Sequence, residues 1–204
     1  AHLEAHPQAR AVVNFVPILL EQLDDYGRQI ADWRRDRSAL RDPLLAALAD
    51  PASCREPAQR EKIIRACLRA NEQRLIQRFA PYERLVRMAR DFLEQGDASH
   101  YLSDAFLTDL LMWYHLAWMA ETVRRDNDRV NEWMDQKKGF SADDCAEMLA
   151  LIGDLISGLF ERYSRLAKTG QVELSMTPYA HPIMPLLLDL EVARQTMPEA
   201  LLPE

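Results

Sequence analysis

The stretch from Ser103 to Arg125 constrains the fold more than any other. Phe106, Leu107, Leu110, Leu111, Met112, Trp113, Tyr114, Leu116, Ala117, Trp118 and Met119 put apolar side chains around most of a helix. A helix that is apolar on nearly every side has to be enclosed by neighbours, so this one is expected to be the central rod of a helical cluster. Ser141, with Asp144 three residues on in a capping-box pattern, opens another long helix. Its stripe of Cys145, Met148, Leu149, Ile152, Leu155, Ile156, Leu159, Tyr163 and Leu166 keeps three- and four-residue steps until Gly170 ends it. Two further helices are expected, one over 59–78 through Ile63, Ile64, Cys67, Leu68 and Leu75, the other from Pro81 to Gln95 before Gly96.

The ends of the chain read differently. Arg10 to Val16 is a β-branched and aromatic run bounded by Pro17, which predicts a buried strand. Ile18 to Leu23 then opens a helix with Pro17 at its first position, where a missing N–H costs nothing. Strand, proline and helix make a βα unit, and ligands meet such units at the carboxyl end of the strand, close to Asn14. Residues 33–58, broken by Asp42-Pro43, Asp50-Pro51 and Glu56-Pro57, read as linker-like and exposed, with one short helix over Leu44 to Ala49. Asp126 to Gly139 is charged and carries Trp133. After Gly170, strand-like alternation returns at Gln171 to Ser175, and Leu186 to Thr196 forms a last short helix. The expected class is mainly α with a few β-strands: a βα segment over 1–32, a linker-like 33–58, a helical excursion over 59–169, and a returning strand with its loop over 170–204.

Composition narrows the function. Twenty-five basic against 32 acidic side chains give a formal charge of −7, with the arginines scattered among carboxylates, which argues against nucleic acid or an anionic membrane as a partner. With 204 residues, length suffices for one large domain or one and a half, and no apolar run approaches the roughly eighteen residues of a spanning helix. Cys54, Cys67 and Cys145 are odd in number and widely spaced, which disfavours a disulfide framework or zinc site and fits a reducing, cytoplasmic setting. A start at Ala1 without methionine suggests an excerpt of a longer protein.

The residues able to do chemistry cluster after Gly170. Glu173, between Val172 and Leu174, projects from the opposite strand face to theirs. It reads either as a solvated edge-strand carboxylate or as a pocket carboxylate that hydrogen-bonds a polar substrate. His181 precedes Pro182, which restricts its backbone to extended conformations, and it is either a satisfied structural histidine or a ligand contact. Trp113 and Trp118, five apart, do not share a helix face well; at least one is expected in the core, and the other is a stacking platform for a sugar ring. His115 reads as core or helix surface. The sequence contains no Gly-rich phosphate loop, Cys-x-x-Cys or Gly-x-Ser-x-Gly elbow, and so no complete catalytic set.

The order of these features resembles glycoside hydrolase family 57. The resemblance rests on Ala11 to Leu23 (AVVNFVPILLEQL), Trp113 to Trp118 (WYHLAW), Gly139-Phe140-Ser141, Gly170 to Leu174 (GQVEL), His181 to Leu187 (HPIMPLL) and Met197-Pro198. It implies an incomplete (β/α)7 barrel interrupted by a helical insertion, acting on α-glucans by a retaining mechanism without a metal or organic cofactor. Such a mechanism needs a nucleophilic carboxylate and an acid roughly 5 to 5.5 Å apart. In this family both lie on later strands, which would fall after Glu204. The family's opening His-Gln-Pro is missing; His6-Pro7 lacks the glutamine.

By the same resemblance Glu173 matches a substrate-supporting carboxylate, with His181, Asn14, Trp113 and Trp118 as further substrate contacts. The expected function is therefore part of an α-glucan hydrolase or glucanotransferase of amylase, amylopullulanase or branching-enzyme type, binding α-glucan or maltooligosaccharide but inactive as this chain alone. The alternative is a free-standing helical interaction or oligomerisation module. Parallel pairing of Val12–Phe15 with Val172–Leu174, with Asn14 and Glu173 opening into one cleft, would favour the first.

Overall fold

A computed structural model describes residues 2–94, 102–180 and 182–203. Helix α1 (His2–Ala5) precedes strand β1 (Ala11–Phe15), and Pro17 is the first residue of α2 (Pro17–Asp36). There follow α3 (Pro43–Ala49), α4 (Pro57–Cys67), α5 (Ala80–Glu94), α6 (Asp104–Trp118), α7 (Glu121–Asp126) and α8 (Asp128–Gln136). Then come α9 (Ala142–Ser157), α10 (Leu159–Lys168), β2 (Val172–Met176), α11 (Met184–Leu188) and α12 (Ala193–Thr196). The chain divides into two compact units, one of 1–25 with 157–204 and one of 26–156.

In the second unit α6 is the expected rod, with Leu107, Leu110, Leu111, Met112 and Leu116 fully buried. Ser103 caps its start by accepting from the Phe106 N–H at 3.2 Å. At its other end the buried Arg124 guanidinium donates to the carbonyls of Leu116 (3.1 Å), Ala117 (3.0 Å) and Met119. These are the groups a helix terminus leaves without partners, and a cation there also complements the helix dipole. The predicted capping box is present: Asp144 accepts from the Ser141 N–H at 2.8 Å, and the Ser141 hydroxyl accepts from the Asp144 N–H at 3.1 Å.

Several expectations need correction. The exposure expected over 33–58 fails at Leu45, Ala47, Leu48 and Cys54, which are buried. The short helix expected over Leu44 to Ala49 is present as α3, opened by Pro43 and capped by Asp42, which accepts from the N–H groups of Leu44 (2.8 Å) and Leu45 (3.0 Å); Pro57 opens α4 instead of breaking the chain. The helix expected over 59–78 stops at Cys67; Asn71 then caps a separate turn over Glu72–Ile76 by accepting from the Arg74 N–H at 2.9 Å. The rod ends at Trp118, and α7 starts afresh. Asp126 to Gly139 contains the helix α8, with Trp133 buried. The long helix after Ser141 is two helices that part at Gly158, a residue with low helix propensity. Gln95 and Gly96 lie outside the described residues.

Gly153 lets α9 approach α2. A Cβ there would sit 2.6 Å from Ile30 Cγ2 and 3.3 Å from Ile30 Cβ, atoms fixed close to the backbone. Gly153→Ala is expected to lower stability by about 1 kcal/mol, because overpacking outweighs the gain in helix propensity. In an Ile30→Ala background the same change should be neutral or stabilising, as a double-mutant cycle by urea denaturation would show.

In the first unit β1 and β2 form a parallel two-stranded sheet, with Ala11 opposite Val172, Val12 opposite Glu173, Val13 opposite Leu174, Asn14 opposite Ser175 and Phe15 opposite Met176. Alternation puts Val12, Asn14, Glu173 and Ser175 on one face. The other face, with Phe15 and Leu174, shares a groove of about 290 Å³ with Leu20, Phe160, Tyr163 and Ala167. There the Phe15 and Tyr163 rings meet edge-on at 5.1 Å.

Candidate functional site

The turn into β2 is fixed before any functional side chain appears. Gly170 adopts φ +69°, and its N–H donates to the Ala167 carbonyl at 2.9 Å, while the Gln171 N–H donates to that of Leu166 at 3.0 Å. This is the paired bonding of a Schellman helix end, whose left-handed residue is best a glycine. The buried Gln171 side chain then donates to the carbonyls of Leu3 and His6, the latter at 3.0 Å, tying α1 to the start of the strand. Arg162 pairs with Glu4 beside it, and this hydrogen bond is the main reason the Glu4 carboxyl drops to about 2.

From that fixed start, alternation delivers an exposed polar face. Glu173 lines an open cavity of about 260 Å³ with Arg10, Ala11, Val12, Gly170 and Gln171. Asn14 stands two residues further along the same face, where its side-chain carbonyl accepts from the Ser175 hydroxyl at 3.2 Å. The parallel pairing expected of the two strands is observed, and Asn14 and Glu173 share a face. Only Glu173 lines the cavity, because the register sets it opposite Val12 and not opposite Asn14. The cavity offers one carboxylate, from Glu173, and one guanidinium, from Arg10, while the buried Gln171 carboxamide is spent on the Leu3 and His6 carbonyls. That set can hydrogen-bond a polyhydroxylated ligand, but retaining glycoside cleavage needs two carboxylates facing one bond.

The two tryptophans separate cleanly within the second unit. Trp113 is buried, packs on Phe79 with ring centroids 5.9 Å apart, and spends its indole N–H on the Lys137 carbonyl at 2.8 Å. It has no ring face to offer a ligand. Trp118 is 55% exposed, with Tyr114 one turn earlier and ring centroids 6.3 Å apart. His115 is a core residue whose Nδ1 lies 2.8 Å from the Leu111 carbonyl; burial lowers its pKa and keeps the imidazole neutral. His181 lies outside the described residues. All three cysteines are buried free thiols, and burial pushes Cys145 up to about 12, so it is inert as a nucleophile.

Two features escaped the sequence reading. Asp144 is more than a cap: it also accepts from the Trp133 indole at 2.9 Å and from Arg129 at 3.0 Å. Tyr179, which follows the Thr-Pro turn, donates to the Glu21 carboxylate at 2.6 Å. Local patterns carry no signal for either long-range partner. Among the described residues, no group of three or more His, Cys, Asp or Glu side chains could hold a metal ion, and no helix is long and apolar enough to cross a membrane.

A family model described as Glycosyl hydrolase family 57 matches residues 61–200, well over half of the chain and including Glu173 and both tryptophans discussed above. No curated protein and no solved structure matches.

Proposed function

The chain belongs to glycosyl hydrolase family 57, and from that premise we propose that it builds one wall of the glucan-binding site in a retaining α-glucan hydrolase or glucanotransferase. Family membership carries glycoside hydrolase chemistry and a carbohydrate substrate. The α-glucan, of amylase, amylopullulanase or branching-enzyme type, is the proposed substrate class. In the first unit Glu173 and Asn14 are its proposed hydrogen-bonding contacts, with His181, which lies outside the described residues, as a further one. Trp118, in the second unit, is proposed by itself as a surface on which a sugar ring stacks.

The observation that carries this reading is the parallel pairing of β1 with β2. Parallel strands joined through helices belong to larger sheets covered on both faces. Here Val12, Leu174 and Met176 are exposed, and so are Ile183, Leu187, Leu188 and Leu201. Such a surface suits strands of a (β/α)7 barrel whose remaining members supply the nucleophile and the acid. A free-standing helical module would have no use for that sheet.

The test is to titrate the chain with maltoheptaose by calorimetry and to assay its hydrolysis in parallel. Weak binding without turnover is expected, and Glu173→Gln should lower affinity by roughly tenfold, the worth of one hydrogen bond to a charged acceptor. Hydrolysis abolished by Glu173→Gln would instead make Glu173 the nucleophile and overturn the assignment.

A further inference from the structure

We propose that Tyr114 and Trp118 form a two-ring platform, clamped from behind by Arg124, on which neighbouring units of a curved, α-linked glucan stack. The inference rests on the glucan reading above. It adds to Trp118 a second ring, the group that holds the backbone there, and the chain shape the pair selects.

Apart from Met88, Trp118 is the large apolar side chain that the described residues of the second unit leave exposed. It is the last residue of α6, and the residues on either side of it, Ala117 and Met119, are buried. The backbone at this point is held by Arg124, whose bonds to the carbonyls of Leu116, Ala117 and Met119 bracket Trp118. The other Arg124 nitrogen donates to the Glu121 carboxylate at 3.0 Å, which also accepts from Arg78 at 2.7 Å, so the clamp is itself fixed. An anchored backbone leaves only side-chain torsions to be ordered when a ligand settles on the ring.

Tyr114 supplies the second ring. It stands one turn earlier on the same helix face, half-buried, with its centroid 6.3 Å from that of Trp118 and the two planes inclined by 54°. An edge-on contact with the buried His115 ring, at 5.2 Å, steadies it from within the core. Phenol and indole faces are flat apolar surfaces against which the C–H face of a pyranose packs. The tilt decides which glucan fits. A β-1,4-linked chain is a flat ribbon and calls for coplanar rings. An α-1,4-linked chain coils, so each unit turns its face relative to the last, and an inclined pair can follow that turn.

The other three tryptophans, Trp33, Trp113 and Trp133, are buried, so a ligand on the platform reads out through the emission of Trp118. Titration of the chain with maltoheptaose, followed by tryptophan fluorescence with acrylamide quenching and by calorimetry, should show saturable protection of one exposed tryptophan. Cellohexaose at equal concentration should show none. Trp118→Ala should abolish the optical response. Tyr114→Leu, which keeps an apolar side chain against the core, should weaken the optical affinity roughly threefold, and Tyr114→Phe should stay close to wild type. Intermolecular NOEs from the Tyr114 ring to maltoheptaose test the second ring in the wild type, whatever the stability of Tyr114→Leu. Absence of those NOEs, or unchanged affinity in a folded Tyr114→Leu, overturns the two-ring platform; equal binding of cellohexaose overturns its selection of a curved chain. Heat of maltoheptaose binding with no change in tryptophan emission overturns the platform and leaves the sheet-face reading standing, whereas neither heat nor emission change defeats both.

Discussion

Trp113→Ala is expected to lower the unfolding free energy by about 4 kcal/mol, whereas Trp118→Ala should change it by less than about 0.5 kcal/mol. The two residues differ by five positions on one helix, yet Trp113 is buried and Trp118 is 55% exposed. Truncating Trp113 empties a site against Phe79 and leaves the Lys137 carbonyl without its indole donor. Phe79 is itself flanked by the Arg78 and Arg124 guanidiniums, whose centres lie 5.2 and 5.3 Å from its ring, so a collapse there would also disturb the group that caps α6. Trp113→Phe should fall between the two, because it keeps most of the volume and loses the donor. Urea denaturation of the three variants measures the order directly.

Asp144→Ala should cost about 3 kcal/mol. The carboxylate accepts from the Ser141 N–H and hydroxyl, each at 2.8 Å, from the Trp133 indole at 2.9 Å and from Arg129 at 3.0 Å. Its removal uncaps α9 and strands a buried indole N–H at once. Burial alone would raise the Asp144 pKa, but Ser141, Trp133 and Arg129 together outweigh it, and the net shift is downward. A carboxyl depressed in the folded state adds stability that is complete above its unfolded pKa and is lost as pH falls through the folded value. The advantage of wild type over Asp144→Asn is therefore expected to hold from neutral pH down to about pH 4 and to shrink below it. Thermal melts of both proteins across that range would show it.

The two strands, the rod and the cap at Ser141 were legible because each depends on residues close in sequence, although the burial expected of β1 fails, with none of its residues buried and Val12 66% exposed. β-Branched density before Pro17 marked β1, all-round apolarity marked α6, and Ser-x-x-Asp marked α9. The region over 33–58 was misread because a proline after Asp or Glu signals a turn and a helix start equally well. Only the burial of Leu45 and Leu48 against other helices decides between them. The stripe from Cys145 to Leu166 hid the break at Gly158, since three- and four-residue steps survive a kink. Strand alternation set Glu173 on the face opposite Val172 and Leu174, as the pairing shows, whereas Asn14 was singled out only by its place near the carboxyl end of β1. Their offset along the face was not legible, because register belongs to a pairing between residues more than 150 positions apart. The choice between Trp113 and Trp118 was equally invisible, being made by what packs on α6.

The central claim is that the face of Val12, Asn14, Glu173 and Ser175 contacts glucan, and an NMR titration of the isotopically labelled chain with maltoheptaose tests it most directly. The account predicts saturable amide shifts at Val12 to Asn14 and at Glu173 to Thr177, with the Glu173 shifts lost in Glu173→Gln. An absence of shifts on both strands at saturating maltoheptaose, or saturable shifts confined to residues 26–156, would contradict it.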